Sequence, residues 1–189
     1  GCGKIANKFA ADLRLVQDAT LVAVASRDKG RAVDFAKQHD APLSFTSYEA
    51  LASCDQVDVI YVATPHGFHH EHTLLCLNHQ KAVLCEKAFA LNERQVREMV
   101  QAAKKNNVFL MEAFWTKFIP QYKKVTEMIQ SGEIGELQMI QADFGFRAAK
   151  PTPQRLYDPV LGGGALLDIG IYPVFLAASL LGRPLETKA

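Results

Sequence analysis

The sequence predicts a doubly wound α/β domain, a parallel sheet covered by helices on both faces, followed by the start of a smaller α+β region. Three observations predict it. Short continuous apolar runs, "LVAVA" at 21–25, "VDVIYVA" at 57–63, "AVLC" at 82–85 and "VFLME" at 108–112, have the length and β-branched content of buried strands. Stretches with apolar residues at helical spacing separate them, as crossovers between parallel strands of one sheet require. After about Phe118 the pattern changes to a helix and then a run alternating in period two.

Each element has its own signal. From Lys4 to Val16, the residues Ile5, Phe9, Leu13 and Val16 recur at helical spacing, and "LVAVA" follows as a strand. Asp28 is placed to cap a helix that turns Ala32, Phe35 and Ala36 inward, and Ser47 to cap a short one before Leu51. The strand "VDVIYVA" stops at Thr64-Pro65, a helix runs from about Phe68 to Asn78, and "AVLC" is the next strand. Asn92 caps a helix with an inner face of Val96, Met99, Val100 and Ala103, and "VFLME" closes the series. The expected domains are 1–118 and 119–189. In the second, Pro120 opens a helix through Ile129, "SGEIGEL" makes a turn, and "LQMIQADFGF" reads as a half-exposed antiparallel strand. Residues 147–163, with Pro151, Pro153 and Pro159, read as a long loop before the helix containing "ALLDIGIYPVFLAASLLG".

Composition narrows the function classes. The chain has 189 residues, 49% hydrophobic and 22% charged, with 21 basic against 20 acidic side chains. Such a balance gives no electrostatic footprint for nucleic acid or an acidic membrane. No apolar run is read as approaching the ~20 residues that cross a bilayer. Cys2, Cys54, Cys76 and Cys85 lie far apart without a Cys-x-x-Cys pair, which suggests neither a zinc site nor a disulfide framework. They read as reduced thiols of a cytoplasmic protein whose partners are small molecules or other protein. The sequence begins at Gly1 without methionine and ends at Ala189 as "PLETKA" opens another element, so both ends are expected to be cut.

Four segments carry candidate chemistry. "GCGKIA" sets Gly1, Gly3 and Ala6 in a G-x-G-x-x-A pattern ahead of a helix; the glycines allow a tight turn and close approach of a pyrophosphate, and the helix start offers free N–H groups, with Lys4 and Ile5 in the same turn. The strand "LVAVA" ends at Ser26-Arg27 where an acidic residue would hold the ribose of NAD, so NADP is preferred and NAD remains possible through Asp28. His66, His69, His70 and His72 crowd "PHGFHHEH" after a strand end, where open α/β sheets bind ligands; they are read as lining a cofactor crevice or as partly solvent-facing, and a metal is not expected. Glu86 and Lys87 interrupt the apolar "VLCEKAFAL" one strand later. Lysine in a partly dry crevice can exchange a proton with a substrate hydroxyl, and glutamate can orient a ribose or an amide; a solvated turn is the plain alternative.

Together "GCGKIA", "VDVIYVATPHGFHHEH", "KAVLCEKAFAL", "SGEIGEL" and "GGGALLDIGIYPV" resemble the Gfo/Idh/MocA oxidoreductase family over the whole chain. "LMEAFWTKFIP" and "ALLDIGIYPV" are most similar to its branch of dihydrodiol and NADP-dependent D-xylose dehydrogenases. The resemblance implies a Rossmann domain, then an α+β domain whose open sheet forms a dimer or tetramer interface. It matches Gly1, Gly3 and Ala6 to the dinucleotide turn, Thr64, Pro65, His66 and His69 to a T-P-N-x-x-H segment, and Glu86-Lys87 to an E-K-P. It matches Asp168 and Tyr172 to a D-x-G-x-H/Y motif, with tyrosine as proton donor or acceptor assisted by lysine; their i, i+4 spacing would place both on one helix face.

His66 stands where the family has Asn, and Ala88 where it has Pro. The first Rossmann strand is usually central, so a chain starting at Gly1 would leave its neighbours unpaired, and residues 119–189 are too few for the complete C-terminal sheet. The expected function is hydride transfer between NADP and a secondary alcohol of a sugar, polyol or trans-dihydrodiol, with Lys87, Asp168 and Tyr172 as the catalytic set. A non-catalytic NAD(P)-binding regulator and an NAD-dependent glycosidase of the same family are the alternatives; the presence of Lys87, Asp168 and Tyr172 favours the dehydrogenase.

Overall fold

In the computed structural model, which describes residues 1–188, the chain passes from Gly3 directly into helix α1 (Lys4–Leu13). Its buried residues are Ala6 and Ala10, while Phe9 stacks on Tyr61 with ring centroids 3.9 Å apart. The expected stripe is thereby corrected. Small side chains let the helix approach its neighbours closely, Ile5 faces outward at 45% exposure, and Val16 lies in the turn beyond the helix end.

Strand β1 (Ala23–Ala25) leads to α2 (Lys29–His39), whose first turn is capped as foreseen: the Asp28 carboxylate accepts from Arg31 N–H at 2.8 Å. Strand β2 (Leu43–Phe45) was not legible in "APLSFT", which lacks a continuous apolar run. Ser47 caps α3 (Tyr48–Ala52), and β3 (Val59–Val62) follows. A single 3-10 turn, His66–Phe68, precedes α4 (His69–Asn78). Then come β4 (Ala82–Cys85), α5 (Glu93–Asn106) with Asn92 as its cap, and β5 (Leu110–Glu112).

All strand pairs are parallel. β1 pairs with β2, and β4 lies between β3 and β5 with Val62 opposite Cys85 and Cys85 opposite Glu112. The sheet is therefore doubly wound but in two parts. Among the described residues no ladder joins β1 to β3; between them lies a cavity of about 400 Å³ lined by Val22 to Ala25, Val57 to Tyr61 and the inner side of α1. The main core packs α4 on β3 and β4 and α5 against α4, with Leu77, Val83, Cys85 and Met99 fully buried. Each such aliphatic side chain contributes roughly 1.5–3 kcal/mol of burial free energy.

This first unit spans Gly1–Ala113, and the second begins at Phe114, five positions before the boundary placed at 118/119. The short turn Trp115–Phe118 packs against α6 (Pro120–Gln130), which explains the difference. Gly132 and Gly135 make the turn after α6 with φ of 78° and 73°, where a side chain would be strained. One expectation fails beyond it. Leu137 to Phe146 form no strand, and no strand occurs among the described residues of this unit, because an extended segment becomes a strand only when a neighbour accepts and donates its backbone hydrogen bonds. The expectation that no apolar run approaches membrane length needs one qualification: Pro159–Leu181 is long and apolar enough by length and composition to cross a membrane, its most apolar 18-residue window having a mean hydropathy of 1.8, although Asp168 interrupts it. It is not one regular helix, however, since it comprises the 3-10 turn Pro159–Leu161, a π-type turn Leu166–Gly170 and α7 (Ile171–Leu181).

Candidate active site

The glycine turn lies across two strand ends. A Cβ on Gly1 would come within 2.7 Å of the Ala63 carbonyl oxygen just after β3, so only glycine passes there. The Cys2 thiol donates to the Ala25 carbonyl at the end of β1, 3.5 Å away. Gly3 caps α1 without a side chain, a Cβ on it would meet nothing within 4 Å, and Gly3, Lys4 and Ile5 are exposed. Open N–H groups at the positive end of a helix, with room before them, fit a dinucleotide pyrophosphate.

Ser26 and Arg27 prove unequal. Ser26 is buried and its hydroxyl accepts from Asp28 N–H at 3.2 Å, whereas Arg27 is exposed with its guanidinium 5.6 Å from the Phe68 ring centre. The accessible charge at the end of β1 is that of Arg27. Asp28 is engaged by its own helix. Arg31, a further basic residue near this strand end, stands in the first turn of α2, and its charge works against the burial that raises the Cys2 thiol pKa. Its i, i+4 spacing from Arg27 was the signal for it in the sequence.

The four histidines separate in space and in role. His69 is fully buried, with Nε2 2.7 Å from the Thr64 carbonyl oxygen and Nδ1 2.7 Å from that of Ala88. Burial pushes its pKa down to about 4 against the pull of the two carbonyls, so the ring is neutral at pH 7 and donates to one of them at a time. It therefore ties the loop after β3 to the turn after β4 instead of lining a crevice. His72 meets the Thr64 hydroxyl at 3.0 Å, and His70 pairs with Glu98 at 2.7 Å. His66 packs edge-on to His69, with ring centres 5.6 Å apart. Among the described residues no three His, Cys, Asp or Glu side chains converge as a metal site.

The charged pair in "VLCEKAFAL" lies just past a strand. β4 ends at Cys85, and Glu86 N–H still donates to the Val62 carbonyl at 2.9 Å. The Glu86 carboxylate accepts from the Tyr61 hydroxyl through one oxygen and from Lys87 N–H at 3.2 Å through the other. Burial and the Glu86 charge push the Tyr61 phenol pKa far above its usual range, so it stays a donor. Glu86 thus fixes its own turn. Lys87 is half-buried, Glu112 accepts from Phe89 N–H at 3.0 Å, and the Lys87–Ala88 peptide bond is cis. The buried thiols Cys76 and Cys85 are pushed up to about 12 and are unreactive at neutral pH.

In the second unit Asp168 lies within the π-type turn and pairs with Arg155 at 3.2 Å. Tyr172 is the second residue of α7, and its hydroxyl accepts from the Trp115 indole N–H at 3.1 Å. The rings of Phe114, Phe144 and Trp115 surround it at centroid distances of 5.4, 5.4 and 6.2 Å. The wide turn breaks the regular helix on which the one-face argument for Asp168 and Tyr172 rested. The aromatic neighbours were missed because they come from separate segments of the chain.

Comparison with known proteins agrees with this layout. Residues 1–114 match the model of the oxidoreductase family with NAD-binding Rossmann fold, and residues 122–189 match the GFO/IDH/MocA C-terminal domain. A trans-1,2-dihydrobenzene-1,2-diol dehydrogenase of Xenopus laevis is 45% identical over 174 residues, which are 91% of this chain and 52% of that protein. The Bos taurus protein of the same name is 40% identical over 182 residues, 95% of this chain and 54% of its own. The chain spans about half the length of the curated relatives it matches. Among solved structures, KijD10, a 3-ketoreductase from Actinomadura kijaniata in complex with NADP and TDP-benzene, superposes with a TM-score of 0.90 at 33% identity, covering 96% of this chain and 56% of that one. With residues 1–114 and 122–189 matched by the two family models and relatives at 40–45% identity over nine-tenths of its length, this chain belongs to the Gfo/Idh/MocA oxidoreductase family.

Proposed function

We propose that the whole protein is an NADP-dependent dehydrogenase that oxidises a secondary alcohol of a sugar, polyol or trans-dihydrodiol. The observation that carries this reading is the grouping of the glycine turn, Arg27 and Lys87 at the carboxyl ends of parallel strands, where open α/β sheets bind their ligands. The names of the relatives support the substrate class, and the NADP complex of the 3-ketoreductase supports the cofactor. Free N–H groups of Gly3, Lys4 and Ile5 hold the pyrophosphate, and Arg27 meets the 2'-phosphate. Bound NADP supplies the carbon that accepts hydride. Tyr172, as its phenolate, takes the proton of the substrate hydroxyl as hydride leaves the carbinol carbon, with Lys87 assisting and Asp168 orienting the tyrosine. The Trp115 N–H already donates to the Tyr172 oxygen, which stabilises the phenolate that has to be present before the substrate proton arrives.

The test is NADPH formation by the full-length protein with pentoses and trans-dihydrodiols as substrates. Lys87→Met and Tyr172→Phe should each lower turnover by about a hundredfold or more with little change in NADPH affinity. Near-normal turnover in both variants would overturn the roles. Cofactor binding without net redox change on any alcohol would favour a regulator, and glycoside cleavage without such change a glycosidase.

The protein is further proposed to act as a homo-oligomer joined through its second domain. Leu137 to Phe146 expose Met139, Phe144 and Phe146 at 76%, 51% and 55%, a set of apolar side chains that another subunit could cover.

A further inference from the structure

We propose that Glu112 is a positioning residue for Lys87, acting through the backbone of the turn that follows β4. The inference rests on the catalytic reading of Lys87 given above. Successive peptide groups of that turn are held by side chains from different elements. Lys87 N–H donates to Glu86, whose other oxygen is held by Tyr61 of β3. The Ala88 carbonyl meets His69 of α4 at 2.7 Å, and Phe89 N–H donates to the Glu112 carboxylate of β5 at 3.0 Å.

Of these supports, Glu112 is the one that reaches across from the strand beyond. It stands opposite Cys85 in the register, and Ala113 N–H extends the same ladder to the Cys85 carbonyl at 2.7 Å. The backbone under Glu112 is thus fixed to the residue from which the turn departs, and its side chain closes back on the turn four residues later. A half-buried carboxylate at this point is not needed for the core: burial raises its pKa, the Phe89 N–H it accepts from offsets part of that, and the nearby Glu86 charge raises it further. An apolar side chain would fill the position at lower desolvation cost. What the carboxylate provides is an acceptor for Phe89 N–H, which limits the freedom of the Lys87 stem. Displacement of a reacting group by about 1 Å is enough to cost up to about a hundredfold in rate.

The experiment compares Glu112→Met, which keeps the length but removes the acceptor, with Glu112→Gln, which keeps the acceptor but removes the charge, in the full-length protein. Glu112→Met should lower kcat by about tenfold or more, leave NADPH affinity within about twofold, and speed deuterium exchange at the Phe89 amide. Glu112→Gln should restore kcat to within about threefold of the parent. In a Lys87→Met background Glu112→Met should add no further loss, because both changes act through one group. Parental kcat in Glu112→Met, equal damage in Glu112→Gln, or additive losses in the double variant would each overturn the inference while leaving the Lys87 reading intact. Parental turnover in Lys87→Met would overturn both. Should Glu112→Met fail to fold, Glu112→Asp shortens the reach to Phe89 and carries the same expectation, with parental kcat again decisive against it.

Discussion

At the scale of single residues, His69 combines complete burial with a titratable ring and two carbonyl neighbours. Its pKa in the folded chain, about 4, lies below the ordinary value of 6.5. Between those values the unfolded chain binds a proton that the folded chain refuses, so this residue's contribution to stability is complete above about pH 6.5 and falls as the pH drops towards 4. The loss amounts to about 3 kcal/mol. Urea titrations at pH 7 and pH 4.5 should show a larger drop in the parent than in His69→Gln, which cannot titrate; equal drops would place the acid sensitivity elsewhere. The sequence marked this histidine by its place after a strand but could not show that both ring nitrogens face backbone. It also marked Glu86 without its partner Tyr61, which lies 25 positions earlier and meets it only across the β3–β4 pair.

At the scale of elements, helix starts were the most legible feature, since a cap acts within three residues of itself. The Asp28, Ser47 and Asn92 side chains accept from Arg31, Ala50 and Gln95 N–H groups respectively. At α5 the Gln95 side chain also accepts from Leu91 N–H at 3.0 Å, so the helix entry is held from both directions. Asn92→Ala should therefore destabilise the protein by about 1 kcal/mol, seen as a lower Tm with unchanged NADPH affinity at low temperature. A shift within error would mean that the Gln95 contact alone suffices. Strands were less legible because their hydrogen bonds lie far away in the chain. β2 is three residues in a polar context and exists through its pairing with β1, while Leu137 to Phe146 alternate well and yet form no strand among the described residues.

At the scale of the whole molecule, the parallel order of the first unit followed from alternation of apolar runs and amphipathic helices, which fixes topology more firmly than element ends. The second unit was harder to read, since its sequence alternates as a strand does but supplies no partner for one. The proposed association through that region has a direct check: light scattering on the full-length protein at micromolar concentration should give at least a dimer, and Met139→Asp with Phe144→Asp should shift it towards monomer. A parent that is already monomeric would remove the proposal. In the first unit, the interruption between β1 and β3 is a matter of backbone pairing. Among the described residues, ladders bind β1 to β2 and β3 to β4 to β5, and the facing edges of β1 and β3 border the 400 Å³ cavity. Peptide groups along such edges need hydrogen-bond partners, and one further parallel strand laid between them would supply partners to both and join the two ladders into a single sheet.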